Sequence, residues 1–506
     1  MKSKLIILTL LASFLFNGCD DEFLEEDIYS QITPELLFTS ASNAQLSVNA
    51  IYARYFDEWG TYRALAFALG MQVNQEITFQ RANGNSDLKF NGNNGQLSSV
   101  WKGLYRAING ANVTIDGVGA MEAALISDES KNKLIAEARF LRAHGYYHLL
   151  RYWGGVPLHT EPTQNPEEAV LPKDTHQAVF EFIVEDLKFA QQYLPLSYTG
   201  SFPDSGKATK GSATATLAMV YAQVSGVQFE GFIDKDYWNE ARTELVKLVD
   251  VGNPRNAASP YTYSLEPDFK DLFWGGQNPG GVWQPTRTAN DLGREIIWCA
   301  NYDPGAFANK GTWYFNHWSR GISEYVVNKF EAGDYRDEIS LDHVSFAAQE
   351  KSVSAKIKRN LAGNNNENNV YFARYAGMIL LLAEVENEIN SGPTPLALSC
   401  INAVRERARG GLDGAETRAV PADILTGLSY DLFKDAVFDE RAVELMLEYQ
   451  FWPDILRSGR LERDYADLGS GADGDRTGFE ARWNFWPIPE SEILAAGGII
   501  LQNPGH

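Results

Sequence analysis

From Leu134 to Trp153, Ala136, Phe140, Ala143, Tyr147 and Leu150 recur at steps of three and four, with Leu141 and Tyr152 widening the stripe. That spacing predicts an amphipathic helix, and Gly154-Gly155-Val156-Pro157 predicts its end. Phe180 to Leu194 repeats the pattern and stops at Pro195. Ser212 to Val224, rich in Ala, Ser and Thr, predicts a closely packed helix with Tyr237 to Val249 as its antiparallel partner. Phe372 to Ile389 and Pro395 to Arg409 predict a further pair around the Ser391-Gly392-Pro393 turn. The fold class expected is mainly α: tetratricopeptide-like helix pairs forming a scaffold.

Two stretches lack any sustained period. Asn83 to Gly95 is an Asn/Gly segment, and Pro254 to Ser319 is dominated by Pro, Gly, Asn and aromatics. Long irregular segments on a rigid frame are commonly working loops, so the helices read as scaffold and the loops as the ligand-binding region. The division expected is a leader over 1–18 and a single α-fold over 19–506. Within that fold lie an N-terminal half of about 19–250, an irregular aromatic-rich insert of about 254–320 and a C-terminal half of about 321–506.

The leader has Lys2 and Lys4 before an apolar run from Leu5 to Leu15, too short to span a bilayer and patterned as a secretory signal. It closes on Phe16-Asn17-Gly18-Cys19, which resembles a bacterial lipobox and makes Cys19 the expected lipidation site. The acidic run from Asp20 to Asp27 resembles the tag that follows the lipidated Cys of surface-exported lipoproteins. Only Cys299 and Cys400 remain in the mature chain, so no disulfide framework is expected; one bridge between them is left open.

The 506 residues carry 44 basic and 66 acidic side chains, a net charge of −22 that becomes −24 once the leader is removed. Such a surface repels phosphates and excludes a nucleic-acid binder. With 44% hydrophobic and 22% charged residues, the chain has material for a large core.

Motifs for nucleotide or serine-hydrolase chemistry are absent. His144 and His148 have the spacing of a zinc pair, but Gly145 stands where a zincin has Glu, so one core His and one flanking His is the reading preferred, with no metal site expected. Asp334, Asp337, Glu384 and Glu388 supply carboxylates without an evident pair for glycosidic chemistry; Glu384 and Glu388, with Arg374, read as a salt-bridged helix face. Asp473-Gly474-Asp475 and the loop near Asn85 offer oxygen donors for calcium but not the spacing of a known loop, so no cofactor is expected beyond calcium as an open alternative.

Aromatic density is the positive signal. Trp274, Trp283, Trp298, Trp313, Tyr314 and Trp318 lie close in sequence, beside Asn278, Gln284, Arg287, Asn301 and Asn316. Flat rings with amide and guanidinium donors nearby suit sugars, which have apolar C–H faces and hydroxyl rims. Glu295-Ile296-Ile297-Trp298 reads as a short buried strand and assigns Trp298 to the core; Trp313, Trp318, Tyr314, Trp283 and Trp274 are the candidate ligand contacts.

Several blocks resemble one family in order. They are Trp101 to Asn109; Ala136-Glu137-Ala138-Arg139-Phe140-Leu141-Arg142-Ala143 through Trp153-Gly154-Gly155-Val156-Pro157-Leu158; and Phe330-Glu331 with Gly333-Asp334 and Arg336-Asp337. Next come Arg374-Tyr375 with Leu382-Ala383-Glu384, Ile401 to Ala408, Glu440-Arg441 through Gly459, Trp486-Pro487-Ile488-Pro489, and Gln502-Asn503-Pro504-Gly505-His506. The pattern is similar to that of the SusD/RagB-like outer-membrane nutrient-binding lipoproteins of Bacteroidetes. It departs at His506, where Tyr is usual, and at Tyr449-Gln450-Phe451, which puts the packing near Trp452 in question.

The resemblance implies a non-catalytic, surface-exposed outer-membrane lipoprotein that binds oligo- or polysaccharide and delivers it to a SusC-like TonB-dependent transporter. A peptide ligand, or a surface glycoside hydrolase, are the alternatives. It implies ligand contacts from the aromatic stretch and from Gln75 to Ser98, including Arg81, Asn85 and Phe90. Arg139, Arg142, Glu384, Glu440, Arg441 and Arg457 are expected to lock helix against helix, because buried charges persist when paired.

Overall fold

The computed structural model describes residues 37–55, 77–78, 91–165, 167–198, 206–273, 294–300, 321–346, 349–354, 370–410, 418–469 and 479–506. Its N-terminal elements are α1 (Ala41–Tyr55), β1 (Ile77–Thr78), α2 (Gly95–Ala120), α3 (Asp128–Trp153), α4 (His176–Tyr193), α5 (Lys210–Ser225) and α6 (Trp238–Leu248). The middle contains β2 (Ile296–Ala300), β3 (Gly321–Ile322), α7 (Glu324–Val327), α8 (Tyr335–Ser340), β4 (Leu341–Phe346), β5 (Gln349–Ser354) and β6 (Val370–Arg374). α9 (Tyr375–Asn390), α10 (Pro395–Ala408), α11 (Tyr430–Glu444), α12 (Phe451–Arg457), α13 (Arg460–Asp464) and α14 (Glu490–Ala495) complete it. The expected mainly α class is what the chain adopts.

The long helices begin where the sequence offers caps. Asn94 accepts from the Gln96 and Leu97 amides to open α2, Ser127 from Ser130 to open α3, and Thr175 from Ala178 to open α4. Thr209 and Ser212 form a reciprocal capping box at α5, and Thr394 caps α10 just ahead of Pro395. In chain order each long helix packs on the next: α2 on α3, α3 on α4, α4 on α5, α5 on α6, α6 on α9, and α9 on both α10 and α11. α5 is buried all round from Gly211 to Val224, as its small side chains allow. The main hydrophobic cluster runs from Ile51 to Ile500 and takes in Trp153, Trp298 and Trp486. No helix among the described residues is long and apolar enough to cross a membrane.

Ion pairs fasten these helices, as expected for the motif arginines. Arg142 grips Asp186 with two bonds of 2.7 and 2.9 Å, joining α3 to α4. Arg457 reaches both oxygens of Glu384 at 2.7 Å, joining α12 to α9, and Arg441 holds Asp454 at 2.8 and 3.0 Å. Arg139 is weaker, 3.4 Å from the exposed Glu185 and 3.6 Å from Asp186.

Three expectations change. Phe372 to Arg374 is strand, and the helix starts at Tyr375. Arg374 therefore leaves the Glu384–Glu388 face; Glu384 pairs with Arg457, and Glu388 with Tyr430 and Lys434. Both His144 and His148 are buried, rather than one core and one flank. Around the departure at Tyr449-Gln450-Phe451, Leu447 and Tyr449 take φ of 63° and 61°, a left-handed conformation that costs bulky residues energy. Tyr449, Phe451 and Trp452 are nevertheless buried, so packing there is intact. Cys299 and Cys400 are both buried free thiols, which closes the question of a bridge.

Candidate ligand-binding site

Trp274, Trp283, Trp313, Tyr314, Trp318, Arg81, Asn85 and Phe90 all lie outside the described residues, as do Cys19 and Asp473-Gly474-Asp475. What the structure fixes is where their segments are rooted. β1 pairs antiparallel with β3, Ile77 opposite Ile322 and Thr78 opposite Gly321. The segment after Thr78 and the segment before Gly321 therefore start from neighbouring points of one ladder. β2 pairs antiparallel with β6, from Ile296 opposite Arg374 to Ala300 opposite Val370, with irregular register on either side of Trp298. Ala300, where 301–320 begins, thus sits beside Val370, where 355–369 ends. Trp298 is 2% exposed and packs edge-on against Phe140 at 4.9 Å, a core residue as its sequence context predicts.

Beneath β2 and β6 lies a buried ionic frame. Arg374 meets Glu448 at 2.8 and 3.0 Å, Glu444 at 2.9 Å, and also Glu295, the residue before β2. Arg407 from α10 bonds Glu295 at 3.1 Å and also bonds Glu444. Arg336 joins Asp334 at 2.7 Å, Glu440 at 2.5 Å and Glu444 at 3.2 Å; Arg405 continues from Glu440, at 2.7 Å, to Glu331. Burial opposes the charge on Arg374, but the carboxylates of Glu448, Glu295 and Glu444 outweigh it and hold the guanidinium pKa well above its usual value. The Arg336 guanidinium shifts the same way: burial opposes its charge, and the carboxylates of Glu440, Asp334 and Glu444 prevail. Glu295 also accepts the Glu266 amide at 2.9 Å, and Glu266 in turn accepts the Arg294 amide at 3.0 Å, so the entry to β2 is tied down from both sides.

This frame was only half visible in the sequence. A charge inside an apolar run, as in Val370-Tyr371-Phe372-Ala373-Arg374 or Glu295-Ile296-Ile297-Trp298, signals a buried partner. Which partner it has depends on tertiary placement.

The other candidate chemistry is accounted for by packing. Asp334, Glu384 and Glu388 are each engaged by a cation. His144 Nδ1 lies 2.6 Å from the Tyr55 hydroxyl, and His148 Nδ1 accepts from Arg151 at 2.8 Å. Burial first, then the Arg151 charge, pushes His144 down to about 3 and His148 well below its usual value. Among the described residues, no group of three or more His, Cys, Asp or Glu converges as a metal site.

Comparison with known proteins bears on the whole chain. The profile described as "SusD family" matches residues 261–506, and that described as "Starch-binding associating with outer membrane" matches residues 22–222. The chain is 28% identical to SusD-like protein P2 of Formosa agariphila, with 100% of both chains covered. It is 26% identical to a SusD-like protein of Bacteroides ovatus, over 90% of this chain and 82% of that one. Its fold matches a SusD homolog from Bacteroides thetaiotaomicron with a TM-score of 0.71 at 20% identity, covering 96% of this chain and 100% of that one. It also matches a solved structure with xylogluco-oligosaccharide, with a TM-score of 0.69 at 20% identity, covering 90% and 97%. Fold, motif order and full-length similarity agree: the chain belongs to the SusD/RagB-like family, a carbohydrate-binding family.

Proposed function

We propose that this protein captures an oligo- or polysaccharide at the cell surface, without turning it over, and passes it to a SusC-like TonB-dependent transporter. Lipid on Cys19 tethers it to the outer membrane, and no cofactor takes part. The observation that supports this reading is the pairing of β1 with β3, since the segment carrying the Asn/Gly loop leaves from the one and the aromatic stretch leads into the other. Family membership and the xylogluco-oligosaccharide held by one structural neighbour support a glycan as the ligand. Trp313, Trp318 and Tyr314 supply stacking faces, with Trp283, Trp274 and Phe90 as further rings and Arg81 and Asn85 as polar contacts to hydroxyls. Each stacking contact contributes about 0.5–1.5 kcal/mol beyond area burial, so a few of them give affinities of about micromolar to millimolar.

Isothermal titration of the mature chain from Asp20 against plant, host and microbial polysaccharides tests this. Binding to a polysaccharide that is lost in Trp313→Ala and Trp318→Ala is the expected result. Binding that survives both variants moves the site to the segment from Gln75 to Ser98, and sustained release of reducing ends would overturn the non-catalytic reading.

A further inference from the structure

Apart from the loop roots, α7, the turn that follows it, α10 and α11 enclose a cavity of about 540 Å³. That volume falls within the range of small-molecule sites, roughly 300–1,000 Å³. Its wall is unusual for such sites because it is largely charged. Arg336, Arg405 and Glu440 from the ionic frame line its buried part, and Lys329, Glu331 and Asp439 line the more open part.

Each of these charges already has an opposite partner. Lys329 Nζ lies 2.7 Å from Asp439 Oδ1 and 4.1 Å above the Tyr325 ring. Arg405 spends its donors on Glu440, Glu331 and the Ala422 carbonyl. An ionic ligand of either sign would have to break one of these pairs. A neutral ligand would not, provided it can donate to carboxylates that are only partly used. Lys329 and Arg460 both engage Oδ1 of Asp439, and Arg405 engages Oε1 of Glu331. An ionised carboxylate has about four acceptor positions, which leaves Oδ2 of Asp439 and Oε2 of Glu331 as acceptors. Both side chains are nearly half exposed, at 41% and 45%. The exposed Asn328 adds an amide donor and acceptor to the wall, and Ile424, Ala436 and Val443 add an apolar strip.

Hydroxyl acceptors, an amide and an apolar strip form the complement of a sugar ring. Because ion pairs hold the walls in place before binding, little ordering is lost on it. We propose that this cavity is a second saccharide subsite, accepting one neutral pentose- or hexose-sized unit independently of the aromatic loops. The proposal rests on the glycan-binding reading above.

Saturation-transfer NMR of the mature chain with neutral methyl glycosides of glucose, galactose, mannose and xylose tests it, run beside polysaccharide titration. Asn328→Trp fills the cavity wall from an exposed position, and the isosteric Asp439→Asn weakens one acceptor. A glycoside should bind the wild type at millimolar concentration and bind the Trp313→Ala/Trp318→Ala double variant equally well. Asn328→Trp should weaken it by at least about tenfold and Asp439→Asn by a smaller factor, with the melting temperature of Asp439→Asn recorded as the folding control. Glycoside binding that ignores both cavity variants, disappears with the two tryptophans, or is missing for every methyl glycoside overturns the subsite. If polysaccharide binding persists in those cases, the proposed function stands without the subsite. If the glycosides map to the cavity while the tryptophan variants bind polysaccharide normally, the subsite stands and the aromatic loop site fails.

Discussion

Arg374 is 2% exposed and faces three carboxylates, so its removal exposes what the ionic frame contributes. Buried ion pairs add little over a well-packed apolar substitute, but loss of one partner strands the other charges in a medium that solvates them poorly. Arg374→Met should therefore cost about 3–5 kcal/mol in urea unfolding, whereas a loss below about 1 kcal/mol would mean that Arg336 and Arg407 absorb the stranded acids. Histidine burial sets a second residue-scale expectation. The folded state refuses His144 a proton down to pH about 3, with His148 shifted the same way, while an unfolded His accepts one near 6.5. Between those values the unfolded chain binds more protons, so stability is complete above pH 6.5 and falls as pH drops, by up to about 1.4 kcal/mol per unit for each ring. The buried carboxyls of Glu137 and Asp186, raised chiefly by burial, act in the opposite direction as they protonate early in the folded state. His144→Phe should flatten the dependence of unfolding free energy on pH between 6.5 and 4; a profile parallel to the wild type would exclude the ring as its source.

At the scale of elements, α3 ends because two glycines follow it. Gly154 has φ of 77°, which an L side chain rarely adopts, and a Cβ on Gly155 would come 2.4 Å from the Asp174 carbonyl. That carbonyl belongs to a strap held to the helix end, with the Asp174 amide 3.1 Å from the Val156 carbonyl. Gly155→Ala should push the strap away and destabilise by about 1–3 kcal/mol, measurable as a lower urea midpoint with unchanged slope; an unaltered midpoint would mean the strap yields freely. The same helix shows how far sequence reading reaches. The Gly-Gly stop locates the end of α3, whose start at Asp128 precedes the apolar stripe, and local periodicity places α4, α5 and α6 to within a few residues. Phe372 to Arg374 misled because a short apolar run suits a buried strand as well as a helix; the pairing of β6 with β2, about seventy residues earlier, decided the matter. The ionic frame was hidden for the same reason. Glu295, Arg374, Arg407 and Glu444 can be recognised one by one as charges in apolar surroundings, but not as partners.

For the whole molecule, the C-terminal segment closes the fold by returning to α3. The Trp486 amide donates to the Tyr152 carbonyl at 2.6 Å, and Trp153 Nε1 donates to the Pro487 carbonyl at 2.9 Å. Asn503 Nδ2 donates to the Trp153 and Trp486 carbonyls at 2.9 and 2.7 Å, and Gln502 brackets Ile488 through its amide and carbonyl. Deleting 499–506 removes four of these bonds, each contributing about 1 kcal/mol. A lower thermal midpoint with native helicity retained at low temperature is expected, and an unchanged midpoint would show that Trp486 and Pro487 suffice. The candidate site was legible at this scale only as a list of loops. Aromatic density singles out the stretch with Trp313 and Trp318, and polar composition the one with Asn85, but their shared root depends on Ile77 meeting Ile322 across the chain. That root has an evolutionary corollary. The charged residues that fix the shape lie in β6, α8, α10, α11 and the turns beside them, while the contacts proposed for the aromatic loop site lie in segments that share none of those residues. Drift in one set need not be matched by compensation in the other, so a lineage can acquire a new diet by rewriting two loops while the frame that holds them stays the same.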